Sequence, residues 1–423
     1  MTSRRQSKAS SASVSVRPED PRTAAWHALV ALERGEVRHL DGWDAADAGL
    51  LDSDAGLARE LILGCLYHAR LYDALSDRFL RSGRQPIELR VALRIAAHQL
   101  FGLDRIPLHA AVGTAVDIVK HGGFQHLAGV ANAVARKLAA LQLPERIGDG
   151  PLGRIAASEH PTSLAVCHGL PDMLVEDLAG CFDGHAERTL AALNARPHLC
   201  TRTRPNAPAI SGASILKRDG PWTWWGDPRD ALRGPVADGR CVVQDRAQGR
   251  VADAVIATAK AQRGDVVLDL CAAPGGKSLA LHDAGLVVVS NDVSSAKVGD
   301  MPRDLRRVVS DGLRPALAGG FEIVLVDAPC SNTGVLGRRP EARLRYNQSH
   351  RGTLIGLQRK LLRSAAALVA PGGRLVYSTC SVVPLENQGI AHMLDGWRLL
   401  GEHTAWPGQW EAGGYVAVLI KKT

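Results

Sequence analysis

Residues 266–278 read Val-Val-Leu-Asp-Leu-Cys-Ala-Ala-Pro-Gly-Gly-Lys-Ser. Val266, Val267, Leu268 and Leu270 form a short apolar run rich in β-branched side chains. That is the pattern of a strand buried on both faces of a parallel sheet. Asp269 falls near its carboxyl end. Ala272, Ala273, Pro274, Gly275 and Gly276 then make a small-residue turn, and a helical pattern begins at about Ser278. In open α/β sheets, ligands occupy the crevice beyond the carboxyl ends of the strands. Small residues there let a ligand approach the backbone, and the first N–H groups of the next helix face it. The spacing is neither Gly-x-Gly-x-x-Gly nor Gly-x-x-x-x-Gly-Lys-Ser/Thr, which weakens dinucleotide and triphosphate readings.

Working outward, Leu286–Asp292 is a second strand that ends in a carboxylate, 16 residues after Gly276. An acceptor for ribose hydroxyls is expected at about that distance, so a nucleoside-bearing cofactor fits. Phe321–Asp327 is a third strand, followed by Ala328-Pro329-Cys330-Ser331. Gly373–Thr379 is a fourth, followed by Cys380-Ser381. In a doubly wound, mostly parallel sheet these ends lie side by side and bring a carboxylate and two thiols to one crevice.

The chain has 423 residues, enough for two or three domains, and its apolar content of 46% is that of a soluble globular protein. No apolar run approaches a membrane span, and the N-terminus lacks the apolar centre of a signal peptide. Eight cysteines (Cys65, Cys167, Cys181, Cys200, Cys241, Cys271, Cys330 and Cys380) are scattered without a Cys-x-x-Cys pair. That spacing argues against a zinc site and a disulfide framework, and points to a cytosolic chain with reduced thiols. The net charge of +8 suits a polyanionic partner. Between Arg338 and Arg363, eight basic residues stand against one acid, Glu341. Directly after the Cys330 loop, such a run is expected to meet phosphates.

Residues 1–20 are rich in Ser and Arg and read as a disordered tail. Residues 21–145 read as an all-helical domain. Apolar residues recur at helical spacing over Thr23–Arg34, Ala55–Ser82, Pro86–Gly102, Pro107–His121 and Leu127–Leu141, with breaks at Gly35, Gly83, Pro107 and Gly122-Gly123. His98, His109, His121 and His126 are expected at helix surfaces or core edges rather than around a metal. Residues 146–240 read as a small α+β connector, with helices over Leu174–Cys181 and His185–Asn194 and a strand near Arg196–Arg204. Trp222, Trp224 and Trp225 are expected to fill a small core there, stacking on RNA bases being the alternative. Residues 241–423 form the domain built on the opening stretch.

Three motifs carry a resemblance: Leu-Cys-Ala-Ala-Pro-Gly-Gly-Lys at 270–277, Asp-Ala-Pro-Cys-Ser-x-Thr-Gly at 327–334, and Tyr-Ser-Thr-Cys-Ser at 377–381 with Pro384 and Glu386-Asn387 after it. In this order they resemble the S-adenosylmethionine-dependent RNA (cytosine-5) methyltransferases. Arg94-Ile-Ala-Ala-His-Gln-Leu, Ile106-Pro-Leu-His-Ala-Ala-Val and Gly129-Val-Ala-Asn-Ala-Val-Ala-Arg-Lys resemble the NusB-like helical RNA-binding domain. The two together are the arrangement of the RsmB (Sun) family, which acts on 16S ribosomal RNA. The resemblance implies a Rossmann-like methyltransferase fold behind a NusB-like domain and a monomeric cytoplasmic enzyme. It implies no metal, no membrane, and a partner in 16S rRNA or the assembling small ribosomal subunit. Alternatives are a tRNA or 23S rRNA cytosine, or a non-catalytic RNA-binding assembly factor.

Methylation at C5 of cytosine needs chemistry that these residues supply. C5 is a poor nucleophile until a thiolate adds to C6 and makes the ring enamine-like. The reaction then needs a group at N3 and a base for the C5 proton. The resemblance implies that Cys380 is the nucleophile, that Cys330 assists release, and that Asp327 meets both the cytosine edge and the methyl donor. A buried Asp327 with a raised pKa is expected to donate to N3. It further implies that Cys271, Ala272, Ala273, Pro274, Gly275, Gly276 and Lys277 cradle S-adenosylmethionine, that Asp292 takes the ribose hydroxyls and that Asp311 takes the adenine amino group. Three departures stand out. Asn332 occupies a usual glycine position, Leu344 replaces a common aromatic, and only 19 residues separate Asp292 from Asp311.

Overall fold

The computed structural model describes residues 20–40, 43, 50, 52–141, 164–182, 185–259 and 266–422. Residues 1–19 of the tail expected at 1–20, and the stretch 142–163, lie outside them. The chain divides into two compact units, residues 1–160 and 161–423.

In the first unit five helices account for most of the described chain: α1 (Pro21–Arg34), α2 (Asp52–Asp77), α3 (Ile87–Phe101), α4 (Leu108–His121) and α5 (Ala128–Ala139). Helix α3 is central and touches the other four. Its sequence explains why: Leu89, Val91, Ala92, Leu93, Ile95, Ala96 and Ala97 are apolar and buried around most of its circumference. Arg94, on the same helix, is buried and paired. Its Nε and Nη2 donate to the two carboxylate oxygens of Asp73 at 2.8 and 2.6 Å, and its Nη1 meets Glu33 at 2.5 Å. Losing one partner of such a group costs about 3–5 kcal/mol. His98 departs from the surface or core-edge position expected of it. It is buried, and the Tyr72 hydroxyl lies 2.9 Å from its Nδ1. The ring fits because Gly64 lies beside it; a Cβ at Gly64 would stand 2.0 Å from the imidazole.

The second unit contains two sheets. The smaller comprises β1 (Leu199–Thr203), β2 (Ile215–Asp219), β3 (Trp222–Trp225) and β4 (Cys241–Val243), in the antiparallel order β2-β3-β1-β4. Trp222, Trp224 and Trp225 are all buried, so they fill this small core and are not presented for base stacking.

The larger sheet has seven strands: β5 (Val266–Asp269), β6 (Val287–Asp292), β7 (Arg306–Val309), β8 (Phe321–Asp327), β9 (Val369–Thr379), β10 (Trp397–Ala405) and β11 (Gly414–Lys421). Their order is β10-β11-β9-β8-β5-β6-β7. The pairs β7–β6, β6–β5, β5–β8 and β8–β9 are parallel, and β11 runs antiparallel between β9 and β10. Alternation along β8 shows how the sheet is covered. Val324 and Val326 pack with Leu361, Leu362 and Ala365 of the helix Gln348–Leu368, whereas Ile323 and Leu325 pack with Val251, Val255 and Leu281 on the other face. The chain runs outward from β5 to β7 and returns to β8 on the other side of β5. The switch point therefore opens above Asp269 and Asp327. Among the described residues, no helix is long and apolar enough to cross a membrane.

Candidate active site

At the head of β5, Asp269 is fully buried and accepts from Ser278 Oγ at 2.7 Å. Burial raises its carboxyl to about 7, although the Ser278 hydrogen bond works the other way. The turn beyond it closes with Gly275 N–H donating to Ala272 O at 2.7 Å. Gly275 has φ +97°, a left-handed conformation that glycine adopts without a Cβ penalty. The helix then starts at Gly276, two residues before the sequence pattern suggested.

The next two strand ends close the same crevice. Asp292 Oδ2 accepts from Ala273 N–H at 3.2 Å, and its Oδ1 accepts from Ser294 N–H at 3.0 Å. Asn291 ties β5 to the end of β7: its Nδ2 donates to Leu270 O at 3.0 Å and to Ser310 O at 3.1 Å. Asp311 follows at once, exposed, with its Oδ1 capping Leu313 N–H at 2.9 Å. The short Asp292–Asp311 segment holds a six-residue helix, Ser295–Asp300, and then β7. Asp311 nonetheless comes close enough to act on Cys271. Burial, and then the charges of Asp269, Asp327, Asp292 and Asp311, push that thiol far above its usual range. Burial and four acids thus disfavour the thiolate of Cys271.

On the other side of the switch point, Lys277 Nζ lies 2.5 Å from Asp327 Oδ2, and Ser378 Oγ donates to Asp327 Oδ1 at 2.9 Å. Burial alone would lower Lys277. Asp327 overcomes it, with smaller help from Cys380 and Asp269, and the ammonium lies above its usual value. The burial expected of Asp327 is not complete: its side chain is 29% exposed and salt-bridged to Lys277.

Cys330 and Cys380 follow β8 and β9, and their sulfurs are 3.1 Å apart. Cys380 also donates to Asn332 Oδ1 at 3.1 Å. The hydrogen bond with Cys380, then burial, hold the Cys330 thiol well above its ordinary range, so Cys330 is neutral at rest. The loops approach this closely because Gly334 has no side chain. A Cβ there would stand 2.6 Å from the Gly413 carbonyl carbon and 2.7 Å from Cys380 O.

The basic run after Cys330 is divided in its use, and the expectation of phosphate contact fails for part of it. Arg343 is buried and donates to Pro340 O, Gly169 O and Asn194 Oδ1. Arg338 pairs with Asp245 at 2.6 Å, and Arg351 pairs with Asp177. Arg359, Lys360 and Arg363 are exposed on the helix Gln348–Leu368.

Sequence reasoning missed several residues that the site uses. Ser378 sits inside a quoted motif, but nothing in its spacing marks it as a partner of Asp327. Gln358 lies mid-helix and carries no local signal. It donates to Pro329 O at 2.9 Å and to the Glu386 carboxylate at 3.0 Å.

A sheet of this order, with a small-residue loop at its switch point and acids at the neighbouring strand ends, defines a Rossmann-like methyltransferase. The donor set fits S-adenosylmethionine: its sulfonium, ammonium, ribose hydroxyls and adenine amino group are all cations or donors, and the crevice offers carboxylates. The family model for 16S rRNA methyltransferase RsmB/F matches residues 256–395, and that of the NusB family matches residues 19–140. A Mycobacterium tuberculosis protein named "Putative methyltransferase Rv1407" is 34% identical, over 88% of this chain and 86% of its own length. Ribosomal RNA small subunit methyltransferase B of Erwinia tasmaniensis is 28% identical, over 81% of this chain and 82% of its own. The solved structure of PH0851 has the same fold, with a TM-score of 0.72 at 20% identity, covering 94% of this chain and 99% of that one. The chain belongs to the RsmB/F family of 16S rRNA methyltransferases, with a NusB domain ahead of the catalytic one. Its cofactor is S-adenosylmethionine. Among the described residues, no cluster of three or more His, Cys, Asp or Glu could hold a metal.

Proposed function

We propose that the protein methylates C5 of a cytosine in 16S rRNA, free or in the assembling small subunit, through a covalent bond between Cys380 and C6. The observation that carries this reading is the pair of sulfurs 3.1 Å apart at adjacent strand ends, beside Asp327 and Lys277. Cys271–Lys277, Asp292 and Asp311 hold S-adenosylmethionine, which supplies an electrophilic methyl group. A thiol pair next to that group has little purpose in a methylation at nitrogen or oxygen, which needs no covalent help from the enzyme.

Cys380 releases its proton to solvent water and its sulfur adds to C6. The C5–C6 π electrons move into the ring, where Lys277 stabilises the charge at the N3 edge and Asp327 accepts from the exocyclic amine. C5 is then a carbon nucleophile. After methylation, Cys330, its own proton released to solvent water, takes the C5 proton. The released electron pair restores the C5–C6 double bond and expels the Cys380 sulfur. The cytosine must stand clear of any stack, which suits loop or single-stranded rRNA.

The test is methyl transfer from labelled S-adenosylmethionine to unmodified 16S rRNA. Wild type makes 5-methylcytosine, Cys380→Ala makes none, and Cys330→Ala accumulates a covalent protein–RNA adduct. Label incorporated equally by Cys380→Ala overturns the nucleophile assignment. Label accepted by tRNA or 23S rRNA and refused by 16S rRNA overturns the substrate.

A further inference from the structure

Glu386 lies between the two cysteine loops and takes no part in the chemistry above. It is fully buried. Its Oε1 accepts from Ser331 N–H and from Gln358 Nε2, both at 3.0 Å. Its Oε2 accepts from the hydroxyls of Ser331 and Ser381, the latter at 2.6 Å. Four hydrogen-bonding groups meet its two oxygens, so both ends of the carboxyl group are tied. Ser331 is bonded to Cys330 and Ser381 to Cys380. A single side chain is therefore anchored one residue away from each thiol. Gln358 adds a third anchor from the helix Gln348–Leu368 and also donates to Pro329 O, on the other flank of Cys330. Glu386 itself is held from behind: Tyr377 OH donates to its backbone O at 2.7 Å, and Asn387 Nδ2 donates to Ser381 O at 3.0 Å.

We propose that Glu386 is the positioning residue of the two-thiol pair, its carboxylate setting the separation of Cys330 and Cys380 through Ser331 and Ser381. The proposal rests on the reading that these two thiols share one reaction. A rigid spacer is needed there because Cys380 must reach C6 while Cys330 reaches the C5 proton of the same ring, and a 1 Å error in such placement costs up to about 10²-fold in rate.

The experiment uses the full chain and reads thiol placement without RNA. Diamide takes two electrons and two protons from a thiol pair, closing a disulfide and becoming the hydrazine. The closure rate between Cys330 and Cys380, followed by peptide mass, measures how often the sulfurs meet. Glu386→Ala and the double variant Ser331→Ala/Ser381→Ala are expected to slow closure by about tenfold and to lower kcat by about 10²-fold, with KM and S-adenosylmethionine affinity held within about twofold. Glu386→Gln keeps the shape and one acceptor oxygen, and falls between. If Glu386→Ala does not fold, the double serine variant and Glu386→Gln decide the question. Wild-type closure and kcat in those two overturn the proposal, as does a kcat loss matched by an equal loss of cofactor affinity. Wild type that closes the disulfide yet transfers no methyl to RNA overturns the two-thiol chemistry instead, and leaves the spacing result intact.

Discussion

Asn332 places its Oδ1 3.1 Å from the Cys380 sulfur while holding φ at +62°. Its Nδ2 reaches back to Cys330 O at 3.3 Å, so one amide touches both cysteine loops. The left-handed conformation explains why a glycine position tolerates this residue, because asparagine adopts it more readily than most others. Asn332→Gly is expected to leave stability within about 1 kcal/mol, since glycine takes this φ freely. Asn332→Val is expected to lose about 1–2 kcal/mol or more from the clash of its β-branch. Urea unfolding of the two variants separates backbone strain from the loss of the amide; equal losses would mean that φ is not the constraint.

Lys277→Met removes the cation beside Asp327. The pair is only partly shielded, so the stability cost is expected near about 2 kcal/mol rather than the 3–5 of a fully buried pair. Methyl transfer is expected to fall by about 10²-fold or more, because a preorganised charge at the reacting ring is lost. Steady-state rates beside a melting curve check this. A variant with normal turnover would remove Lys277 from the reaction.

Asp269 gives stability a pH dependence of known sign. Its carboxyl titrates near 3.8 unfolded and near about 7 folded. Between those values the folded state keeps a proton that the unfolded state has lost. Stability is therefore full below about pH 4, falls as pH rises, and is flat again above about pH 7, the whole change being roughly 4 kcal/mol. Asp269→Asn carries no such proton, so the stability difference between variant and wild type is expected to grow in the variant's favour from pH 4 to pH 7. Denaturation at four pH values across that window tests it; a constant difference would contradict it.

The basic run separates into two phenotypes. Arg343→Ala strands three acceptors in a buried site, and a loss of about 3 kcal/mol or more is expected. Arg359→Ala, Lys360→Ala and Arg363→Ala alter exposed side chains and are expected to change stability by less than about 0.5 kcal/mol. If these three meet phosphates, each removal lowers the slope of log affinity for rRNA against log salt by about 1. Filter binding at three salt concentrations decides it, and unchanged slopes would assign the contact elsewhere.

Much of this architecture is legible because its signals are local. Apolar β-branched runs before Asp269, Asp292 and Asp327 mark parallel strands, and helical spacing marks α1 to α5. The small-residue turn at Gly275 and the two cysteines follow directly from their strand ends. What stayed hidden depends on tertiary neighbours. Whether an arginine faces solvent or an interior set of acceptors is not written in its own segment, so Arg343 and Arg359 look alike in sequence. His98 looks like a helix-surface residue until Gly64 and Gly102 are seen to leave room for its ring. Asp327 looks like a lone buried acid until Lys277, fifty residues earlier, is found against it.

The chain of contacts from Lys277 through Asp327 to Ser378 joins the first turn of the helix after β5 to β8 and β9 and stops two residues short of Cys380. It acts as a crossbar that ties that helix start to the upper rim of β8 and β9. A crossbar of this kind has no independent halves. Heat or denaturant that frees one end releases the other, so the shape of the small-residue turn and the pairing of the sulfurs vanish in the same cooperative step.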